Sequence, residues 1–415
     1  MKLPALALTL VALVPAASAG TWHVATTPGP GVDFTTIQAA IDAASDGDLI
    51  LIENGAYLEQ LHIDGKGLTL QGLANAALFG TAATVNNDPT LHVENLAPGQ
   101  EFHLRDLGVN RVTGVWGEAI RLEHNQGRVW IEQVFIDTYD GHAVHIIDCA
   151  DVVLSEAFLQ CNSGFQDRLG NNLPAHGLLV EDGSNVQAFQ LDATGSHGPP
   201  IFVTLTTPIE GGDAVHLIDS TLRQIDAGLQ GGGGGSIFKA GCSTGAIGGS
   251  AIEVHAQGGP APSVELRGGN MQGGVSGIWT PGCAPDPGTS LMIDAPAGTV
   301  TTLTGKPRLL SMPTTPYPNG NFEFQVQGEG SDLFFLFASP LSGSPTPLAG
   351  IDGDAFLGLG SSILVTSGQL NAFGWGGDVM GLVNPGPPLT FRTQALFLDL
   401  SGGLWLSGPG TILFP

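Results

Sequence analysis

Six eight-residue segments of one pattern lie between residues 102 and 271. They read FHLRDLGV from Phe102, VWIEQVFI from Val129, VVLSEAFL from Val152, VQAFQLDA from Val186, VHLIDSTL from Val215 and VELRGGNM from Val264. The first and third places are apolar, and the second and fourth are polar or mixed. Such alternation is a strand with one buried face. A polar or small residue at the fifth place shifts the phase, and most copies turn apolar again at the sixth and eighth. That slip predicts a bend that keeps the apolar side inward. Strand, bend and strand in tandem form one corner of a coil, and stacked coils make a solenoid.

The segments start 27, 23, 34, 29 and 49 residues apart. The shortest interval is the bare coil, and the excess predicts insertions at 162–176, 196–213 and 226–250. The last holds the glycine run 231–235, which reads as a flexible low-complexity stretch. A second strand precedes the repeated phrase in several coils: LHVEN from Leu91, IRLEH from Ile120, VHIID from Val144 and LLVED from Leu178.

The ends differ from the middle. Residues 1–19 read as a secretory signal: Lys2, an apolar stretch from Leu3 to Val14, and Ala17-Ser18-Ala19 as the cleavage site. The apolar run is too short to span a bilayer, and no later stretch reaches that length, so the expectation is an exported chain with no membrane span. Thr35 followed by Gln38 predicts a capping box. Ile37, Ala40, Ile41 and Ala44 then predict a short amphipathic helix, laid across the first coil as a cap. Residues 20–305 are the expected β-helix. Residues 306–320 carry four prolines and read as a linker. Residues 321–415 hold short alternating strands with Gly/Pro turns, expected to form a small antiparallel β domain.

Net charge is −25, from 13 Lys+Arg against 38 Asp+Glu. A surface of that sign repels phosphate backbones and argues against nucleic-acid binding. The four cysteines suit an oxidising compartment. Three connectivities are open. Cys149–Cys161 and Cys242–Cys283 are favoured because each pair would tie a loop beside one coil. Oligomeric state leaves no trace in the sequence.

The stretch TTIQAAIDAASDGDLILIENGAYLE, from Thr35 to Glu59, resembles the opening of pectin-lyase-like, right-handed parallel β-helix proteins, pectin methylesterases included. The resemblance implies that fold and a capping helix before the first coil. It implies scaffold roles for Tyr57 and Glu59, because the later esterase motifs are absent. The polygalacturonase set (NTD, DD, GHG and RIK) is also absent; GSHG from Gly195 is an isolated echo. A lyase of this fold would need an Arg or Lys base beside Ca²⁺-binding carboxylates. Arg105, Arg121, Arg128, Arg168 and Arg223 are the candidates, and none has such a cluster beside it in sequence. The last hundred residues resemble a C-terminal module of secreted bacterial proteins, for which sorting, anchoring or capping of the solenoid are the expected jobs.

Chemistry is expected on the outward ladders of stacked coils. One ladder runs His92, Arg121, His145, Leu179; its neighbour runs Glu94, Glu123, Ile147, Glu181; a third, at the bend, runs Asn95, His124, Asp148, Asp182. The densest cluster is IDTYDGHAVHIID. Its Asp137, Asp140, His142, His145 and Asp148 are the candidate acid–base residues. Ca²⁺ is the ion those loop carboxylates suit; no cofactor is otherwise implied. His92, Arg121, Glu123 and Glu181 are candidate sugar contacts, with Trp130 as a stacking platform at an outward place. Trp116 and Trp279 are lesser platforms. The GIDGD run from Gly350 is an incomplete Ca²⁺-loop echo. Two functions compete. One is a non-catalytic extracellular protein that binds polysaccharide or a cell-surface glycan, or serves as a scaffold. The other is a polysaccharide lyase or glycoside hydrolase. The missing motifs favour the first, and enzymatic activity stays undecided.

Overall fold

The alternating segments become parallel strands, and each coil contributes to three faces. The computed structural model describes residues 19–80, 88–111, 117–163, 165–166, 172–198, 200–201, 208–239, 242–280, 286–312, 321–340, 342–358, 360–381 and 389–414. Face one includes Leu49–Ile52, Thr69–Gly72, Glu101–Arg105, Arg128–Glu132 and Asp151–Ser155. Face two includes Gly55–Leu58, Ala76–Gly80, Gly108–Arg111, Phe135–Asp140 and Phe158–Ser163. Asn185–Thr194 and Thr221–Gln230 run unbroken through both, which joins them into one 16-stranded sheet. Face three has eight parallel strands: Leu61–Asp64, Leu91–Glu94, Ile120–Glu123, Val144–Ile147, Leu178–Glu181, Val215–Ile218, Ile252–His255 and Ile293–Asp294. This is a right-handed parallel β-helix. The inward places of the repeat, such as Phe102, Leu104, Val129, Ile131, Val152 and Leu154, lie in a single core.

The phase slip is a backbone fact. Asp106, Gln133, Glu156, Gln190 and Asp226 all have φ between 49 and 56°. One left-handed residue turns the strand without breaking the inward alternation. The corner after face three repeats the device at Asn95, His124, Asp148, Asp182 and Asp219, with φ between 48 and 60°. That shared grammar misplaces one copy of the phrase. VHLIDSTL from Val215 is a face-three strand and its corner; the copy in register with Val186 starts at Leu222.

The expected helical cap is not supported. The helix spans only Ile37–Ala43, and its N-cap Thr36 makes no side-chain capping bond. The carboxylate of Glu59 accepts from the Ile37 and Gln38 amides at 2.9 and 3.0 Å instead. Tyr57 donates to the Glu53 carbonyl at 2.9 Å, so both residues of GAYLE hold the scaffold. The edge of face one is covered by a strand, Thr21–Val24, paired with Leu49–Ile52.

The glycine run is not a flexible linker. Residues 231–233 are buried, in a layer of short hydrogen-bonded segments. The Gly212 amide donates to Ser196, Gly232 to Gly212, Gly249 to Gly232 and Gly274 to Gly249, each at 2.8 Å. A Cβ on Gly212 would lie 1.8 Å from the Ala175 oxygen, and one on Gly232 1.8 Å from the Ser196 oxygen. Neighbouring segments approach too closely for any other residue.

Cys149 and Cys161 are free and buried, which corrects the expected bridge. Cys149 occupies the corner after face three, where Asn125 donates to its sulfur at 3.6 Å. Cys161 follows the bend on face two, in register with Thr138. The two thiols line different corners of the coil, and burial pushes both up, Cys149 to about 11. Cys242 is disulfide-bonded; Cys283 lies outside the described residues, as do residues 1–18, Trp116 and Arg168.

The C-terminal strands form a mainly antiparallel unit around Leu310, Phe324, Phe334, Leu336 and Phe397. Leu309–Ser311, inside the expected linker, already pairs with Asn321–Gln327. The unit lies along face one. Trp130, Val153, Phe189 and Ile225 pack with Leu309 and Phe356 across the junction. Trp130 is therefore 0 % exposed, roofed by Arg392 at 4.3 Å and edged by Phe356 at 6.0 Å. It is an interface anchor and not a sugar platform, because the C-terminal unit covers the face it points from.

Candidate functional site

The corner leading into face three carries its own repeat: GEAI from Gly117, GHAV from Gly141, AHGL from Ala175, GDAV from Gly212 and GSAI from Gly249. The third place is Ala or Gly and turns inward. The second place stacks Glu118, His142, His176, Asp213 and Ser250 along the solenoid. In three successive coils the amide is caught by the side chain before it. His176 N–H donates to His142 Nδ1 at 3.0 Å, Asp213 N–H to His176 Nδ1 at 3.0 Å, and Ser250 N–H to Asp213 Oδ1 at 2.6 Å.

The outward ladders of face three keep the register read from sequence. His92 is level with Arg121, Arg121 with His145, and His145 with Leu179; Glu123 sits two places on. The ladder continues through His216 and Glu253. His145 donates from Nδ1 to Glu118 at 3.1 Å and from Nε2 to Glu181 at 2.6 Å. Burial alone would lower its pKa; the bonds to Glu118 and Glu181 outweigh burial and the net shift is upward. With both nitrogens donating, His145 is an imidazolium bolt between carboxylates, with no lone pair for a base. Burial would raise Glu118, but the His145 bond brings it down to about 2. His142 shifts the other way: buried and beside other imidazoles, it is held well below its usual value and stays neutral.

Rings continue across the coils. His142 stacks on His176 at 5.2 Å, His176 meets His216 at 4.4 Å, and His216 meets His255 at 5.1 Å. Asp213 sits among them. Its Oδ2 is 3.1 Å from His176 Nδ1 and 2.8 Å from His216 Nδ1. His255 bonds Glu253 at 2.6 Å. A cleft of about 360 Å³ opens beside this group, lined in part by Glu210, Asp213, Glu253 and Asp294.

The densest sequence cluster is divided between faces. His142 and His145 reach face three. Asp137 lies on face two, where it accepts from Asn162. Asp148 is at a corner, taking a 3.0 Å bond with His124. Asp140 ends the strand Phe135–Asp140, and its side chain is outside what is described. The carboxylates of this stretch thus do not converge as one acid–base or Ca²⁺ set among the described residues.

Face two holds what the sequence reading missed. Phe135 and Phe158 are in register on adjacent coils. Their rings stack at 5.0 Å, tilted by only 5°, yet they are 48 % and 37 % exposed. Tyr139 nearby is 42 % exposed. A parallel line of polar side chains flanks the rings: Asn110, Asp137, Gln160, Thr194, Gln230 and Gln272. The signal was present in the phrase, whose seventh place is Phe in two successive copies.

No family model and no curated protein matches the sequence. Among solved structures, a pectin methylesterase in complex with a hexasaccharide is 12 % identical; the match covers 69 % of this chain and 94 % of that one, with a TM-score of 0.37. The pectin methylesterase PemA of Erwinia chrysanthemi is 12 % identical over the same shares, at 0.30. The enzymatically active domain of bacteriophage CBA120 tailspike protein 2 is 10 % identical; the match covers 95 % of this chain and 71 % of that one, at 0.29. The class here is the right-handed parallel β-helix. The resemblance to pectin-lyase-like proteins stands at that level, and none of these structures lends a residue role to this chain.

Proposed function

We propose that this chain is an exported, non-catalytic β-helix protein that binds a neutral polysaccharide along face two. The observation that carries the reading is the exposed, parallel Phe135–Phe158 pair. Large apolar rings left in water, side by side, mark a binding surface more often than a packing accident. Their flat faces suit the apolar face of a sugar ring, and Asp137, Gln160 and Asn162 beside them supply acceptors and donors for hydroxyls. The repeat extends that line along the solenoid, which suits a polymer. A net charge of −25 disfavours polyanionic chains. Export rests on the secretory pattern of residues 1–19.

The test is affinity electrophoresis against neutral and uronate polysaccharides, with Phe135→Ala/Phe158→Ala as the variant. Both rings are exposed, so the fold should persist by circular dichroism. The expected result is retardation by at least one neutral polymer, weakened at least about tenfold in the variant, equivalent to about 1.4 kcal/mol. Unchanged retardation in the variant would overturn the site. Reducing ends or unsaturated products released by the wild type would replace the binding reading with a hydrolase or lyase.

A further inference from the structure

We infer that face three holds a zinc-class divalent metal site built from His176, Asp213 and His216, with Glu253 and His255 forming an overlapping set through His216. The ligand atoms of each set lie within 4.8 Å of one another. Two imidazole nitrogens converge on one carboxylate oxygen: His176 Nδ1 at 3.1 Å and His216 Nδ1 at 2.8 Å from Asp213 Oδ2. Tetrahedral zinc with bonds of about 2.0–2.1 Å places its ligands about 3.3 Å apart. The cluster is close to that spacing.

A second observation points the same way. His176 Nδ1 accepts the Asp213 amide at 3.0 Å, so that nitrogen presents a lone pair and not a proton. The same nitrogen lies 3.1 Å from Asp213 Oδ2, another acceptor, in a place where both residues are buried. Acceptor against acceptor away from water is unfavourable. A cation between them turns the repulsion into two bonds, displacing the amide from that lone pair. His142 and His145 do not compete. His142 is not among the side chains whose ligand atoms lie within 4.8 Å of one another, and His145 has both nitrogens committed to carboxylates.

The donor set chooses the metal. Two imidazoles and a carboxylate suit Zn²⁺, Co²⁺ or Ni²⁺, whereas Ca²⁺ and Mg²⁺ prefer all-oxygen shells. Three protein ligands leave a position open toward the cleft lined by Glu210, Glu253 and Asp294.

The experiment titrates metal-free full-length protein with Co²⁺, reading the visible d–d band, and with Zn²⁺ by calorimetry. Wild type should give a tetrahedral-type band that Zn²⁺ displaces and excess Ca²⁺ does not. His216→Gln removes the ligand common to both sets, and its Zn²⁺ affinity should fall at least about tenfold. His62→Gln lies on the same face near the other end and should keep the band. Circular dichroism of both variants separates loss of binding from loss of fold. If His216→Gln does not fold, Asp213→Asn, which can still accept the Ser250 amide, takes its place. No band in wild type, a band unchanged by the substitutions, or a band lost in His62→Gln would each overturn the inference.

Discussion

Glu156 should make the protein less stable in mild alkali than in mild acid. It sits at the bend between faces one and two, where the C-terminal unit docks. Ser311 donates to it at 3.0 Å and Gln133 at 3.2 Å. Burial, and then the carboxylate of Glu132, push its pKa from 4.5 up to about 7 against those two bonds. Asp106, raised to about 6, adds to the same acidic pocket. For a carboxyl raised on folding, the stabilising form is protonated. Its contribution is complete below about pH 4.5 and is lost as pH climbs through 7. A shift from 4.5 to about 7 corresponds to roughly 3 kcal/mol at 1.36 kcal/mol per unit. Glu156→Gln keeps an acceptor for Ser311 and removes the charge. Urea denaturation of both proteins at pH 4.5 and 8 isolates this pocket, because titrations elsewhere in the molecule cancel in the difference. The variant should gain roughly 3 kcal/mol over wild type between the two pH values. A difference independent of pH, or a variant less stable at pH 8, would refute the reasoning.

Trp130→Ala should cost about 3–5 kcal/mol and speed proteolytic release of the C-terminal unit, because the ring fills the junction beneath Arg392 and Phe356. Retention of neutral-polysaccharide binding by the same variant is expected, since face two is elsewhere; loss of binding with an intact fold contradicts the burial argument. Cys149 and Cys161 should resist iodoacetamide at pH 8 in the folded protein and both react in urea without reductant. With the Cys149 thiol at about 11, about 0.1 % is thiolate at that pH. Fewer than two reactive thiols on unfolding would restore a bridge between them.

The fold was legible because a strand with one buried face leaves a period of two, and a left-handed bend leaves a one-residue slip. The same rule caused the error at Val215. Faces one and three both end in a left-handed residue, so Asp219 imitates Asp226 in sequence. The covered face was legible in principle as well. Trp130, Val153, Phe189 and Ile225 are apolar at outward places, which a face in water has no reason to accumulate. What no local pattern carries is which element supplies the cover. That contact joins residues separated by up to 289 positions, as between His103 and Arg392. The glycine layer failed for the opposite reason. A run of glycines reads as entropy until the neighbouring segments, also glycine-rich, are known to be 2.8 Å away by hydrogen bond.

The stretch from Phe135 to Asp148 shows most clearly why a site is harder to read than a fold. In sequence it is one cluster of two Phe/Tyr rings, carboxylates and imidazoles. In space the corner at Gly141, whose Cβ would meet the Gly117 oxygen at 1.8 Å, sends the first half to face two and the second half to face three. Asp137 and Tyr139 join Phe135, Phe158 and a line of amides. His142 and His145 join Glu118, Glu181 and His176, partners one coil above or below. A solenoid converts nearness along the chain into separation between faces, and a spacing of a whole coil into contact. Residues that act together must therefore be sought one coil apart at equal places. GEAI, GHAV, AHGL, GDAV and GSAI meet that condition, and so do the seventh-place rings Phe135 and Phe158.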